Sequence, residues 1–240
     1  LGFYKITLNT RVGAPRACIY NSGCNFRCIG CAYKLYPEAS PTGRGEMSCS
    51  EIIASLQTLR PRRVNFIGGE PTTNPSLEAV AAYAREDLGA TTKLGHSNGS
   101  RPVPPSIDEA LISIKCIDED LHIRYTGVSN ESVLNNFIEA HGRGVRLEAS
   151  TVLIPGMIGA GEVGRVARFI AGIDEGIPLH ITGYMPVPGA PWRAPTRGEI
   201  REAVALARRH LRHISCRSLS PTEFSRMKLS DPAFMSMGVA

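Results

Sequence analysis

No stretch of the 240 residues approaches eighteen consecutive apolar positions, so no membrane-spanning helix is expected. The first ten residues mix Lys5 and Asn9 among apolar positions without a cleavage-type pattern, and no secretory segment is expected either. Internal repeats and low-complexity tracts are missing, although 101–105 and 186–195 are proline-rich. The seven cysteines are an odd number and three of them are clustered, which argues against a disulfide scaffold and for a reducing, cytoplasmic setting. With 42% hydrophobic residues, the length suits one sizeable α/β domain. The formal charge of +5 comes from scattered arginines and one dense patch, Arg208, Arg209, His210, Arg212 and His213. That patch reads as the solvated face of a C-terminal helix; nucleic-acid binding is not expected, whereas an acidic protein partner would suit it.

What the chain does have is Cys24, Cys28 and Cys31 within eight residues. A closed zinc site needs four Cys or His ligands, usually in two pairs, and no second cysteine pair exists. Three thiolates instead suit a 4Fe-4S cluster, leaving one iron open to a small-molecule ligand. Gly23 and Gly30 permit the backbone turns such a loop requires. The other cysteines, Cys18, Cys49, Cys116 and Cys216, are dispersed and read as small packing residues or free thiols.

Strand-like runs alternate with helical patterns, the sign of repeated βα units and a parallel sheet. Strands are expected at 17–20, 63–67, 92–96, 111–115, 147–154 and 179–184, and helices at 50–59, 75–88, 131–141, 162–173 and 196–211. Ser50, Asn74 and Thr196 are the expected N-caps. Six such units curl into a partial (β/α)6 barrel of TIM type, with helices outside and functional loops at the carboxyl ends of the strands. Loops in those positions carry the cysteines, Gly68-Gly69-Glu70, Ser97-Asn98-Gly99, Lys115 and Tyr184-Met185-Pro186. The barrel interior is expected to be apolar. The second proline-rich loop would cover its mouth, and Met227, Met235 and Met237 would pack.

The C-x3-C-x2-C spacing, with Phe26 two positions after the first cysteine, resembles the signature of the radical S-adenosylmethionine (radical SAM) enzymes. Asn65-Phe66-Ile67-Gly68-Gly69-Glu70-Pro71 is similar to that family's Gly-Gly-Glu-Pro strand end. Ser97-Asn98-Gly99, Lys115 and the segments 118–136 and 147–156 resemble the glycyl-radical-enzyme activases, while 178–182 is similar to their AmmeMemoRadiSam relatives. The resemblance spans about residues 17–212, leaving 213–240 as a C-terminal extension.

It implies one three-cysteine 4Fe-4S cluster and S-adenosylmethionine as cofactors. Phe26, Gly68, Gly69, Glu70, Ser97, Asn98 and Lys115 would be the cofactor-binding residues, with Glu70 on the methionine ammonium and Lys115 on its carboxylate. A protein glycine, another peptide or a small molecule would give up hydrogen, and flavodoxin or ferredoxin would donate electrons. A non-catalytic iron-sulfur carrier or sensor is the alternative. No catalytic side chain is assigned and oligomeric state is left open.

The chain departs from activases that bind a monovalent cation, since His96 and Ser113 stand where those have Asp. It also lacks an inserted eight-iron ferredoxin-like segment and a cobalamin-binding domain. His180 and Tyr184 could line the cavity, although a single His on an apolar strand such as His180 reads first as a hydrogen-bonded core residue. Glu148 is an inward carboxylate seeking Arg146 or the cofactor, and Cys116 a thiol that could face the site.

Overall fold

The computed structural model describes residues 2–11, 13–35, 45–231 and 237–239. Its nine strands are β1 (Phe3–Asn9), β2 (Arg16–Asn21), β3 (Arg63–Ile67), β4 (Thr91–Ser97), β5 (Glu109–Ser113), β6 (Arg146–Leu153), β7 (Leu179–Gly183), β8 (Ile214–Arg217) and β9 (Met237–Gly238). They form one sheet in the order β8-β7-β6-β5-β4-β3-β2-β1-β9. Every pair from β2 to β8 is parallel; β1 lies antiparallel on β2, and β9 antiparallel on β1. Among the described residues the sheet does not close on itself, so the barrel is partial, as expected. It is wider than six strands: β8 adds a seventh parallel strand, and β1, β8 and β9 lie outside the 17–212 span.

The helices are α1 (Cys49–Leu59), α2 (Leu77–Glu86), α3 (Glu119–Thr126), α4 (Glu131–Gly142), α5 (Ala160–Ala171), α6 (Arg197–Ala207) and α7 (Pro221–Ser230). Strand alternation sends Ala17, Ile19, Val64, Phe66, Leu94, Ala110, Ile112 and Ala149 to one face. There they join Ile52 and Leu56 of α1, Val80 of α2, Phe137 of α4, and Val166 and Ile170 of α5 in one buried core. The opposite face carries Asn65, Lys93, Glu148, Ser150 and His180. Tyr20, Ile67, Leu111 and Val152 share that face, so the expected apolar interior is corrected to a mixed one.

Local chemistry moved several boundaries. Ser48, not Ser50, caps α1, in a capping box with Glu51. Asn74 closes the short 3-10 turn Pro71–Thr73 and braces Ser76 N–H, so α2 starts only at Leu77. Thr196 caps α6 as expected. That helix ends at Ala207, which places the basic patch 208–213 in the turn beyond it rather than on a helix face. Met237 is 64% exposed, against its expected packing role, and Met235 lies outside the described residues. Among the described residues no helix is long and apolar enough to cross a membrane.

Candidate cofactor site

The cysteine loop leaves β2 and is fastened from outside by the last turn of α3. Arg27 N–H donates to Thr126 O at 2.9 Å and Ile29 N–H to Tyr125 O at 3.0 Å. Phe26 anchors the same loop: its ring is 8% exposed and stands edge-on to the buried His122, with centroids 5.7 Å apart. Cys24 is exposed, while Cys28 and Cys31 are half-buried. Phe26 N–H donates to Cys24 Sγ at 3.4 Å and Asn98 Nδ2 reaches the same sulfur at 3.6 Å.

Burial raises the Cys24 and Cys28 thiols, Cys28 to about 11, and each also feels the charge of Cys31; Lys115 pulls Cys28 back down. The thiols thus sit close enough to sense one another, in surroundings where a bound cation would draw off their protons. No three His, Cys, Asp or Glu side chains among the described residues converge tightly enough to hold a single metal ion. A cubane asks for something else, one thiolate per iron at three separate corners, and this donor set fits it.

Gly68 and Gly69 follow β3, both with positive φ. Any Cβ on Gly69 would collide with Gly23 O, and Glu70 N–H donates to that same carbonyl at 2.8 Å. The two loops are thereby pressed together backbone to backbone, which only glycine allows.

Glu70 is completely buried. Its Oε1 accepts from Thr72 N–H (3.1 Å), Thr72 Oγ1 (2.7 Å) and Ser97 Oγ (2.9 Å), and its Oε2 from Asn98 N–H (2.5 Å). Three of these donors crowd Oε1 and one meets Oε2, so the carboxylate is held firmly while Oε2 keeps acceptor capacity. In this arrangement the acid fixes Ser97 and Asn98 relative to the Gly-Gly turn. Asn98 passes the constraint on, through Asn25 Oδ1 at 2.9 Å, to the cysteine loop. Lys115 follows β5, half-buried; it makes no ion pair with a described residue and influences Cys28, His96 and His122 electrostatically.

Over these loops lies an aromatic cluster. Tyr125 and Tyr184, each 3% exposed, pack with Ile154, Ile158 and Val187, and Cys28 touches the group. Trp192 covers both tyrosines at centroid distances of 6.0 and 6.1 Å. The 186–195 loop therefore caps the site, as expected. Cys116 offers no accessible thiol to it. The thiol is fully buried and is pushed up to about 12 by that burial, then by Glu162 and Asp118.

Deeper on the inner face, Glu148 meets Lys93 Nζ at 2.6 Å and His180 Nε2 at 3.0 Å. Arg146, its expected partner, pairs with Glu109 instead. His180 is hydrogen-bonded as expected, with its side chain partly exposed on the inner face rather than packed in the core. Sequence reasoning missed Lys93 and Trp192. It registered His96 only as a departure, although glycine beside it inside a strand is a bulge signal.

A model of the radical SAM superfamily matches residues 18–166. The chain belongs to the radical SAM superfamily. A Methanocaldococcus jannaschii protein named as a glycyl-radical enzyme activating enzyme is 27% identical, the match covering 87% of this chain and 81% of the relative. The pyruvate formate-lyase-activating enzyme of Staphylococcus aureus is also 27% identical, over 70% of this chain and 76% of its own. Among solved structures, a radical SAM methyltransferase from Sphaerobacter thermophilus superposes with a TM-score of 0.65 at 16% identity, covering 88% of this chain and 68% of that one. This last likeness concerns the fold. Radical SAM membership supplies the reason why three thiols, a Gly-Gly turn and a mixed strand face share one end of the sheet.

Proposed function

We propose that this chain is a radical SAM enzyme of the activase-like branch, a single domain that removes hydrogen from a protein or peptide, with glycine as the site of abstraction. When bound, a 4Fe-4S cluster on Cys24, Cys28 and Cys31 supplies one electron, and S-adenosylmethionine supplies the 5'-deoxyadenosyl radical that takes the hydrogen.

The protein's own part is placement and exclusion of water. Gly68 and Gly69 bring backbone close to the ligand. Glu70 holds Ser97 and Asn98 in register, and Asn98 also steadies Cys24. Lys115 offers a cation to the ligand carboxylate and favours the Cys28 thiolate. Phe26 and α3 fix the loop, and Trp192 with the tyrosines shields it. The electron comes from a reduced flavodoxin or ferredoxin in a cytoplasmic setting.

The observation that carries this reading is the hydrogen-bonded chain from Glu70 through Asn98 to Cys24, which couples the cysteine loop to two further strand ends. A mere electron carrier has no use for that coupling. The names of the two activating-enzyme relatives support a protein substrate. Anaerobic reconstitution with iron and sulfide, then S-adenosylmethionine and dithionite, should release 5'-deoxyadenosine and methionine, and Cys28→Ala should lose both the visible cluster absorbance and the cleavage. A reconstituted protein that carries the cluster but leaves S-adenosylmethionine intact would be a carrier or sensor.

A further inference from the structure

β4 does not run straight past β5. Leu94 pairs with Ala110 and Ser97 with Ile112, so Gly95 and His96 together oppose the single residue Leu111. This is a β-bulge, a device that re-aims side chains next to functional sites. Gly95 is required there because a Cβ would run into Ile67 Cγ2. Leu94 before the bulge stays in the core and Ser97 after it still reaches Glu70, while His96 is turned out onto the inner face.

The imidazole is accessible to solvent and makes no hydrogen bond with a described residue. Its pKa is lowered to about 4, first by desolvation, then by Lys115, Lys93 and His180, with Glu148 pulling the other way. The register sets His96 beside Leu111, which pairs with Glu148 on the next strand, between Lys115 beyond the end of β5 and the Lys93-Glu148-His180 cluster. Ser113 and Ser150, hydrogen-bonded to each other at 2.8 Å, stand in register with His180 at the same level.

We propose that His96 is a substrate-contacting, specificity-determining residue, and that the seat it forms with Ser113, Ser150 and the Glu148-His180 pair receives a neutral amide, the backbone of a peptide. The inference deepens the peptide reading above and rests on it. Charge selects the ligand class. Lys93 is neutralised by Glu148, and Glu148 in turn is occupied by Lys93 and His180, so neither a carboxylate nor an ammonium group finds a free counter-charge. Lys115 is committed to the cofactor. What remains is an uncharged imidazole, donor at one nitrogen and acceptor at the other, beside two hydroxyl groups. That set matches the paired N–H and C=O of a peptide unit.

The test uses the reconstituted protein with S-adenosylmethionine and no reductant, labelled with 15N-histidine, and the capped tripeptide acetyl-Ala-Gly-Ala-amide as probe. The His96 imidazole signals, identified by their loss in His96→Gln, should shift on titration while those of His210 and His213 stay still. His96→Leu should weaken tripeptide binding about tenfold, the loss of one hydrogen bond, and His96→Gln should keep most of it. Unmoved His96 signals, equal affinity in the Leu variant, or tighter binding of acetate or methylammonium than of the tripeptide each overturn the proposal. Failure of the enzyme reading appears separately, as absent 5'-deoxyadenosine release.

Discussion

Glu148 illustrates how a charge survives on the inner face of a sheet. Desolvation alone would raise its pKa, yet the hydrogen bond from His180 and the Lys93 ammonium hold it at about 2. The folded value lies below the ordinary carboxylate value of 4.5. The carboxylate therefore adds stability that is present above about pH 4.5 and is lost as pH falls from there through about 2. Glu148→Gln removes that titration. We expect its denaturant midpoint to fall less steeply than the wild-type midpoint between pH 4.5 and 2, read from urea curves in a series of buffers. Parallel slopes would mean that the pair contributes nothing to the pH dependence. The sequence could place Glu148 inward, because alternation fixes the face. It could not name Lys93 or His180 as partners, because those arrive from β4 and β7 through strand register.

At the level of elements, legibility followed the strength of the local signal. The parallel strands β2 to β7 could be read because each is a short β-branched or aromatic run bounded by turn residues. β1, β8 and β9 could not: β1 is an antiparallel strand on β2 outside the βα pattern, β9 is two residues that pair with the distant β1, and β8 is only four residues, mostly exposed. α3 was hidden because its eight residues are largely polar, and its start is set by Asp118 accepting from Leu121 N–H. The site shows the same division. The cysteines, Gly68-Gly69-Glu70 and Ser97-Asn98 were legible as motifs, whereas the direction of the Glu70 carboxylate was not. Capping misled in a correctable way. Ser48 and Ser50 both precede an apolar run, but only Ser48 stands three residues before Glu51, the spacing of a capping box. Ser48→Ala should lower stability by about 1 kcal/mol, while Ser50→Ala should change it little. Chemical denaturation of the two variants side by side decides between the caps.

At the scale of the molecule, an open sheet with a mixed inner face needs a cover if radical chemistry is to proceed away from water, and the covering falls to the 186–195 loop. Its hold is local. Val187 and Ala190 join Tyr125 and Tyr184, and Trp192 lies across both tyrosines, in a cluster separate from the main core beneath the helices. Elements with a small apolar anchorage open at lower free energy than the whole fold. Trp192→Ala should therefore loosen the loop selectively. Cleavage by a protease at Arg193, which is exposed, should speed up several-fold, while the midpoint of global unfolding moves by only a few degrees. In the reconstituted enzyme the same change should raise the share of S-adenosylmethionine cleaved without hydrogen transfer from a substrate, because water and solutes reach the cofactor end of the sheet. If the variant lost global stability in step with its loop, Trp192 would belong to the main core, and shielding of the site would have to come from elsewhere.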